Sequence, residues 1–247
     1  MRLMRAGVRR SRKQMQTLQG LFDQRQRLYF LHIGKTAGTQ IAGLSDKINQ
    51  TNENWRIQPC PHGKRLQGLP ADCAYFFSIR RPETRFRSSF YSRKRKGQPR
   101  NHFEWSASEA LAFAQFEHAN DLAEALFLEG AVGRHAFFAM KSITHTSRAQ
   151  VEWFDQAGYF LDQHPPVWII RQEIFEADFT RLLEKIGHKE DVQPSRDRTK
   201  AHANDYSGIP DLSDLARANL KRWYAQDYLL YDYCLDWLAA QTQRETP

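Results

Sequence analysis

Cysteine is scarce in this chain. Cys60, Cys73 and Cys234 are the three among 247 residues, a sparse and odd set that excludes a disulfide framework and fits a reducing, cytoplasmic compartment. No apolar run approaches the roughly 18 residues of a membrane-spanning helix, so no transmembrane segment is expected. Residues 1–14 are basic and lack the apolar centre of a secretory signal, while an arginine-rich transit peptide is compatible with them. No internal repeat, heptad pattern or low-complexity tract is present, which excludes collagen and coiled-coil architectures. No His, Cys or Asp grouping has metal-ligand spacing, since Cys60 and His62 stand isolated, and no metal is expected. What remains is a chain with 41% hydrophobic and 13% aromatic residues, enough apolar surface to bury a real core.

The formal charge of +8 is unevenly spread. Residues 1–27 hold eight basic residues against one acidic, and 80–100 hold nine against one, while 101–247 are acidic overall. A basic total points first to nucleic acid, but the concentration at 80–100 asks for a more local anion. Arg93, Lys94, Arg95 and Lys96 are expected to be surplus cations that guide a polyanionic cofactor or acidic acceptor. Residues 1–27 read as a separable basic leader, and 28–247 as one domain.

The apolar run 28–33 stops at Gly34 and reads as a buried strand. Ile41, Leu44 and Ile48 then recur at helical spacing over 36–50. The run 74–79 is a second strand, closed by Arg80-Arg81-Pro82, with Pro82 opening a helix. The pattern predicts a helix over 105–128, with Leu111, Phe116, Leu122, Leu126 and Phe127 in the core, and another over 147–157. A third strand is expected at 167–170. An amphipathic helix over 173–186, with Ile174, Phe175, Phe179, Leu182, Leu183 and Ile186 apolar, ends at Gly187 as C-cap. A polar loop spans 188–210. The C-terminus is helical, with Leu212, Leu215, Leu220, Trp223 and Tyr224 inside. Strands alternating with helices predict an α/β fold with a mainly parallel sheet flanked by helices.

Ligands of open parallel sheets sit beyond the carboxyl ends of the strands. Two segments fall there. In His32-Ile33-Gly34-Lys35-Thr36-Ala37-Gly38-Thr39-Gln40, the glycines permit a tight turn and the following helix start offers N–H groups to an anion. Lys35 adds a charge, and Thr36 and Thr39 add hydroxyls. A triphosphate-binding G-x-x-x-x-G-K-[ST] loop would need its first Gly at Tyr29, inside the strand, so a single phosphate or phosphosulfate suits this shorter loop. The second segment is Arg80-Arg81-Pro82-Glu83-Thr84-Arg85-Phe86-Arg87-Ser88, from which Arg80 and Ser88 can converge on one phosphate.

In order and interval, the two segments resemble those of sulfotransferases that use 3′-phosphoadenosine 5′-phosphosulfate (PAPS), most closely the carbohydrate O-sulfotransferase branch. Weaker similarities extend over most of the chain after residue 28, at 61–66, 171–179 and 225–233. The resemblance implies a three-layer P-loop-like fold and transfer of a sulfuryl group from PAPS to an acceptor hydroxyl, on a carbohydrate or another hydroxyl compound. It implies that Lys35, Thr36, Ala37, Gly38, Thr39 and Gln40 hold the 5′-phosphosulfate and that Arg80 and Ser88 hold the 3′-phosphate. Lys35 would also neutralise charge on the bridging oxygen. Gln40 stands where the family has Ser or Thr, and Arg81 where it has Asp.

The acceptor hydroxyl needs a general base titrating near neutrality, which suits histidine. His62, in the loop between the two segments, is the candidate, and Glu53 is the reserve. His32 is expected to be structural, and the basic residues of 198–204 are candidates to close over the phosphates. Two other classes compete: a P-loop-type small-molecule kinase, and a nucleic-acid-binding module using 1–27 and 80–100. Specific nucleic-acid binding is not expected under the transfer reading.

Overall fold

A computed structural model describes residues 23–99, 101–154, 158–190, 192 and 206–245. The leader up to residue 22 and the basic loop residues 198–204 lie outside the described residues.

Four parallel strands form one sheet in the order β2-β1-β3-β4. They are β1 (Gln26–Leu31), β2 (Trp55–Pro59), β3 (Ala74–Ile79) and β4 (Ile169–Arg171). β1 and β3 are central, which explains their near-continuous apolar sequence. Leu28, Phe30, Tyr75, Phe76 and Phe77 are fully buried, and Phe30 and Phe76, adjacent in register, stack at 5.0 Å. β1 begins at Gln26, inside the stretch assigned to the leader. Just ahead of it, Asp23 ties the chain to β2 by accepting from Arg25 (2.7 Å) and Arg56 (2.8 Å). β2 was not expected from the sequence. It is an edge strand with one fully buried side chain, Ile57, so it carries no apolar run.

Helices flank the sheet and build a second core beside it. In the sheet core, α1 (Gly38–Thr51) contributes Ile41, Leu44 and Ile48. α7 (Phe175–Lys185) adds Phe179 and Leu182, and α9 (Ala225–Glu245) adds Leu230, Cys234 and Leu238. The second core forms where Phe86 and Phe90 of α2 (Pro82–Lys94) meet four helices, α3 (Ala107–Gln115), α4 (Ala119–Ala125), α5 (Gly130–Ser142) and α8 (Asp214–Trp223). A short α6 (Phe160–Gln163) precedes β4. No described helix is long and apolar enough to cross a membrane.

Several expectations are corrected. The single helix over 105–128 is two, α3 and α4, broken at the extended residues Phe116 and His118. Leu111, on the outer face of α3, is exposed, and so is Phe127, left-handed at φ 69° just after α4. α5 was unforeseen, because Gly130 and Gly133 weaken the helical signal. The helix expected over 147–157 is a 3₁₀ turn at Gln150–Trp153, and 155–157 lie outside the described residues. Ile174 sits in a 3₁₀ turn ahead of α7 and is exposed, as is Leu215. Gly187 does cap α7, at φ 62°, with His188 N–H bonded to the Leu183 carbonyl.

The cations expected to be surplus at 93–96 are largely spent within the protein. Arg93 makes a buried bidentate pair with Glu109 at 2.7 Å. Lys94 pairs with Glu117 and Lys96 with Glu104, and Arg87 pairs with Asp211. Most of the basic stripe fastens α2 to the segments around it.

Candidate functional site

The sheet order places a topological switch between β1 and β3. From β1 the chain runs through α1 to β2 on one side, then crosses to β3 on the other. The crevice beyond the carboxyl ends of β1 and β3 is where such sheets take ligands. Both segments singled out in the sequence end there. Lys35 follows β1 and Arg80 follows β3, while His62 follows β2.

The loop after β1 is built to leave its donors unused. None of the six N–H groups from Gly34 to Thr39 has an acceptor among the described residues, and Gln40 and Ile41 both bond to the Ala37 carbonyl. The left-handed residues are Lys35 (φ 70°) and Ala37 (φ 68°), not the glycines. Alternation of hand along a loop turns successive N–H groups inward as an anion nest, and the start of α1 adds its dipole. Gly38 is needed for another reason: a Cβ there would lie 1.8 Å from His32 Nε2, so only glycine admits the ring.

Side chains hold this loop in place. Thr36 is fully buried, and its hydroxyl donates to the Ile33 carbonyl (2.9 Å) and meets Ser78 Oγ of β3 at 2.8 Å. Only its N–H is therefore left for an anion. Arg85, 3% exposed, donates from Nε to the Gly34 carbonyl and from a terminal nitrogen to the Arg148 carbonyl, both at 2.9 Å. Neither bond neutralises its charge. Thr39 and Gln40 are half-buried on the first turn of α1.

Arg80 is half-buried, with Nε on Thr84 Oγ1 at 3.1 Å and no carboxylate paired to it among the described residues. Its backbone is gripped on both sides by the Gln150 amide (3.1 and 2.8 Å). Gln150 and Val151 in turn donate their N–H groups to the buried Asp227 of α9. One turn of α2 beyond Thr84, the buried Ser88 hydroxyl has no partner among the described residues. Glu173 closes the start of α2, accepting from Arg81 N–H at 2.7 Å.

The charges are strongly coupled. Burial, then Arg80, Arg95 and Arg85, lower the Lys35 ammonium to about 8. Burial also lowers the Arg80 and Arg85 guanidiniums, which stay charged because arginine starts so high. A cluster this positive, with the nearby Glu173 and Asp227 engaged by backbone N–H groups, would be stabilised by an anion.

Three histidines border the cluster. The His32 and His62 rings lie against each other, tilted by 38° with centroids 3.8 Å apart. Burial, then His62, lowers His32 to about 4, and burial, then Lys35, lowers His62. His145, from the turn after α5, is lowered to about 3 by burial and then by Lys35, Arg85 and His62. All three are therefore neutral near pH 7, the form in which imidazole accepts a proton.

Lys35, Gly38, Arg80, Ser88 and His62 thus meet at one end of the sheet. Glu53 does not. It lies just before β2, lining an open cleft of about 590 Å³ with Gln26 and Gly187, at the opposite end of strands that rise about 3.3 Å per residue. It is removed as a candidate base. Sequence reasoning missed His145, Arg85, Gln150 and Asp227, which support or border the site. Of these, only the buried aspartate carried a signal, as a charge on the apolar face of a helix. The described residues hold no group of three His, Cys, Asp or Glu able to bind a metal ion. Scans of protein-family models, of curated proteins and of solved structures return no match to this chain.

Proposed function

We propose that this chain is a PAPS-dependent sulfotransferase with a P-loop-like cradle, acting on an acceptor hydroxyl, with a carbohydrate as the preferred class. The observation that carries this reading is the run of six N–H groups, Gly34 to Thr39, that have no acceptor among the described residues, beside Lys35 and Arg80, which has no carboxylate partner among them, at the switch point of the sheet. The residues fit a cofactor with two separated anionic groups. The loop and Lys35 suit one, and Arg80 with the unpartnered Ser88 hydroxyl suits the other. Bound there, PAPS supplies a sulfuryl group already joined to a phosphate that can leave.

The chain's own groups account for the remaining needs. Lys35 and the loop N–H groups put fixed positive charge where a leaving oxygen gains negative charge, in a site that needs no reorganisation. Arg85, through the Gly34 carbonyl, and Gln150, through the Arg80 backbone, hold those donors in register. His62, neutral and lying against His32, accepts the acceptor's hydroxyl proton at a ring nitrogen. The kinase reading requires a carboxylate to hold Mg²⁺, and the nearby acids are otherwise engaged: Glu173 on Arg81 N–H, and Asp227 on Gln150 and Val151 N–H.

Calorimetric titration with 3′,5′-adenosine bisphosphate tests the cofactor. Saturable binding is expected, weakened about 10–100-fold by Lys35→Ala or Arg80→Ala, the scale of a lost charge-assisted hydrogen bond. His62→Ala should keep that affinity and lose transfer to a panel of sugar acceptors. A folded protein that binds no bisphosphate overturns the reading.

A further inference from the structure

A second cleft, of about 750 Å³, lies between the segment leading into β4 and the carboxyl half of α9. Val167, on its floor, bonds through its N–H to the Tyr75 carbonyl near the start of β3. The cleft is therefore at the amino-terminal edge of the sheet, roughly a strand length, about 15–20 Å, from Arg80. It shares no residue with the anion cradle.

Its lining has a distinctive composition. Tyr159 and Tyr233 are large exposed rings, 63% and 45% accessible, and Trp237 stands one helical turn beyond Tyr233. The Tyr233 ring is fixed against the backbone of Gly158, where a Cβ would fall 2.7 Å from its Cδ2. Around these faces stand Asp162, Asp236 and Arg244, none with an ion pair or side-chain hydrogen bond among the described residues. In this cleft, charged groups of both signs share one space with no partner among the described residues.

Rigid aromatic faces suit the apolar faces of pyranose rings, and unpaired carboxylates, a guanidinium and phenols suit hydroxyls that both donate and accept. The cleft volume falls within the range of small-ligand sites. Two carboxylates against one guanidinium disfavour sulfated or uronic chains. A proline-rich peptide also packs on aromatic grooves, but it offers few hydrogen-bonding groups for these unpaired charges. We propose that this cleft binds a short stretch of neutral oligosaccharide, at a site separate from the anion cradle.

The test is calorimetric titration of the full chain with cellohexaose, maltohexaose and chitohexaose, with no nucleotide present. Because no nucleotide is used, failure of the transfer reading leaves the outcome untouched. At least one hexasaccharide should bind saturably, and Trp237→Ala should weaken it about tenfold or more, as loss of an anchoring aromatic does. Trp237 also contacts Trp168 (6.1 Å), so that variant can disturb packing. Tyr159→Ala and Asp236→Asn, both at exposed side chains, should weaken binding several-fold with an unchanged melting temperature. The proposal is overturned if none of the three sugars binds, if these two variants bind as well as the parent, or if a polyproline peptide competes for the cleft where sugars do not.

Discussion

Replacing Gly38 by alanine sets two effects of opposite sign against each other. Gly38 is the first residue of α1 and its φ lies outside the left-handed region, so alanine fits the backbone. On helix propensity alone the change would stabilise by up to about 1 kcal/mol. Against this, the new Cβ would meet His32 Nε2 at 1.8 Å, Cδ2 at 2.0 Å and Cε1 at 2.7 Å. Carbon contacts settle near 3.5–4.0 Å, so the ring must shift by about 1.5 Å or more. His32 follows a fully buried strand end and cannot retreat as a unit. Its ring must rotate, which breaks its contacts with His62 (3.8 Å) and Phe30 (5.2 Å). Overpacking of this kind costs about 1–3 kcal/mol, and the net expectation is a loss of about 1–2 kcal/mol. For a chain of this size that lowers Tm by roughly 2–8 °C, read by calorimetric or circular-dichroism melting. His32→Ala should remove the conflict, so that Gly38→Ala becomes neutral or stabilising in that background, a coupling that a double-mutant cycle reads directly. A Gly38→Ala single variant that melts at or above the parent temperature would refute the steric account.

Thr36→Val removes a buried hydroxyl that binds Ile33 and Ser78. It should cost about 1–2 kcal/mol of stability in urea denaturation yet change bisphosphate affinity less than Lys35→Ala does; the reverse ranking would return the hydroxyl to the anion. Lys35, lowered to about 8, loses its charge as pH rises through that value. Bisphosphate affinity should therefore fall between pH 7 and 9, and Lys35→Arg should flatten the profile; an unchanged slope in that variant contradicts the assignment. Burial raises the Glu109 carboxyl, but Arg93, Ser106 N–H and Thr144 outweigh it and hold it at about 2. A carboxylate depressed in the folded state contributes stability above its unfolded value, near 4.3, that is lost as pH falls toward 2. Glu109→Gln should destabilise by about 3–5 kcal/mol at neutral pH, since it leaves Arg93 buried without its carboxylate, and should shrink the acid dependence; equal acid sensitivity in the variant would count against this.

The central strands and the residues that end them were legible because a buried parallel strand has to be an apolar run, and Gly34 and Arg80 stop those runs abruptly. β2 was invisible because an edge strand buries so little. α3 and α4 merged in the sequence because neither Pro nor Gly marks the break between them. Within the site, chemistry stated locally could be read, as with Lys35 and Arg80. What depends on burial could not. Nothing in the sequence distinguishes a threonine that bonds to the sheet from one that faces a ligand, and Thr36 proves to be the former. Nor does a basic stripe reveal that its partners, Glu104, Glu109 and Glu117, follow it closely in the chain.

The hydrogen bonds from Gln150 and Val151 to Asp227 set an order of assembly. Arg80 leaves the ribosome early, whereas the carboxylate that steadies it through Gln150 lies 77 residues beyond Gln150 itself. Chains synthesised from the amino end fold as length allows, so the loop can form while the grip on Arg80 still waits for α9. A chain that ends before residue 225 lacks both that grip and the Leu230, Cys234 and Leu238 part of the sheet core, so it should lose stability and bisphosphate affinity together.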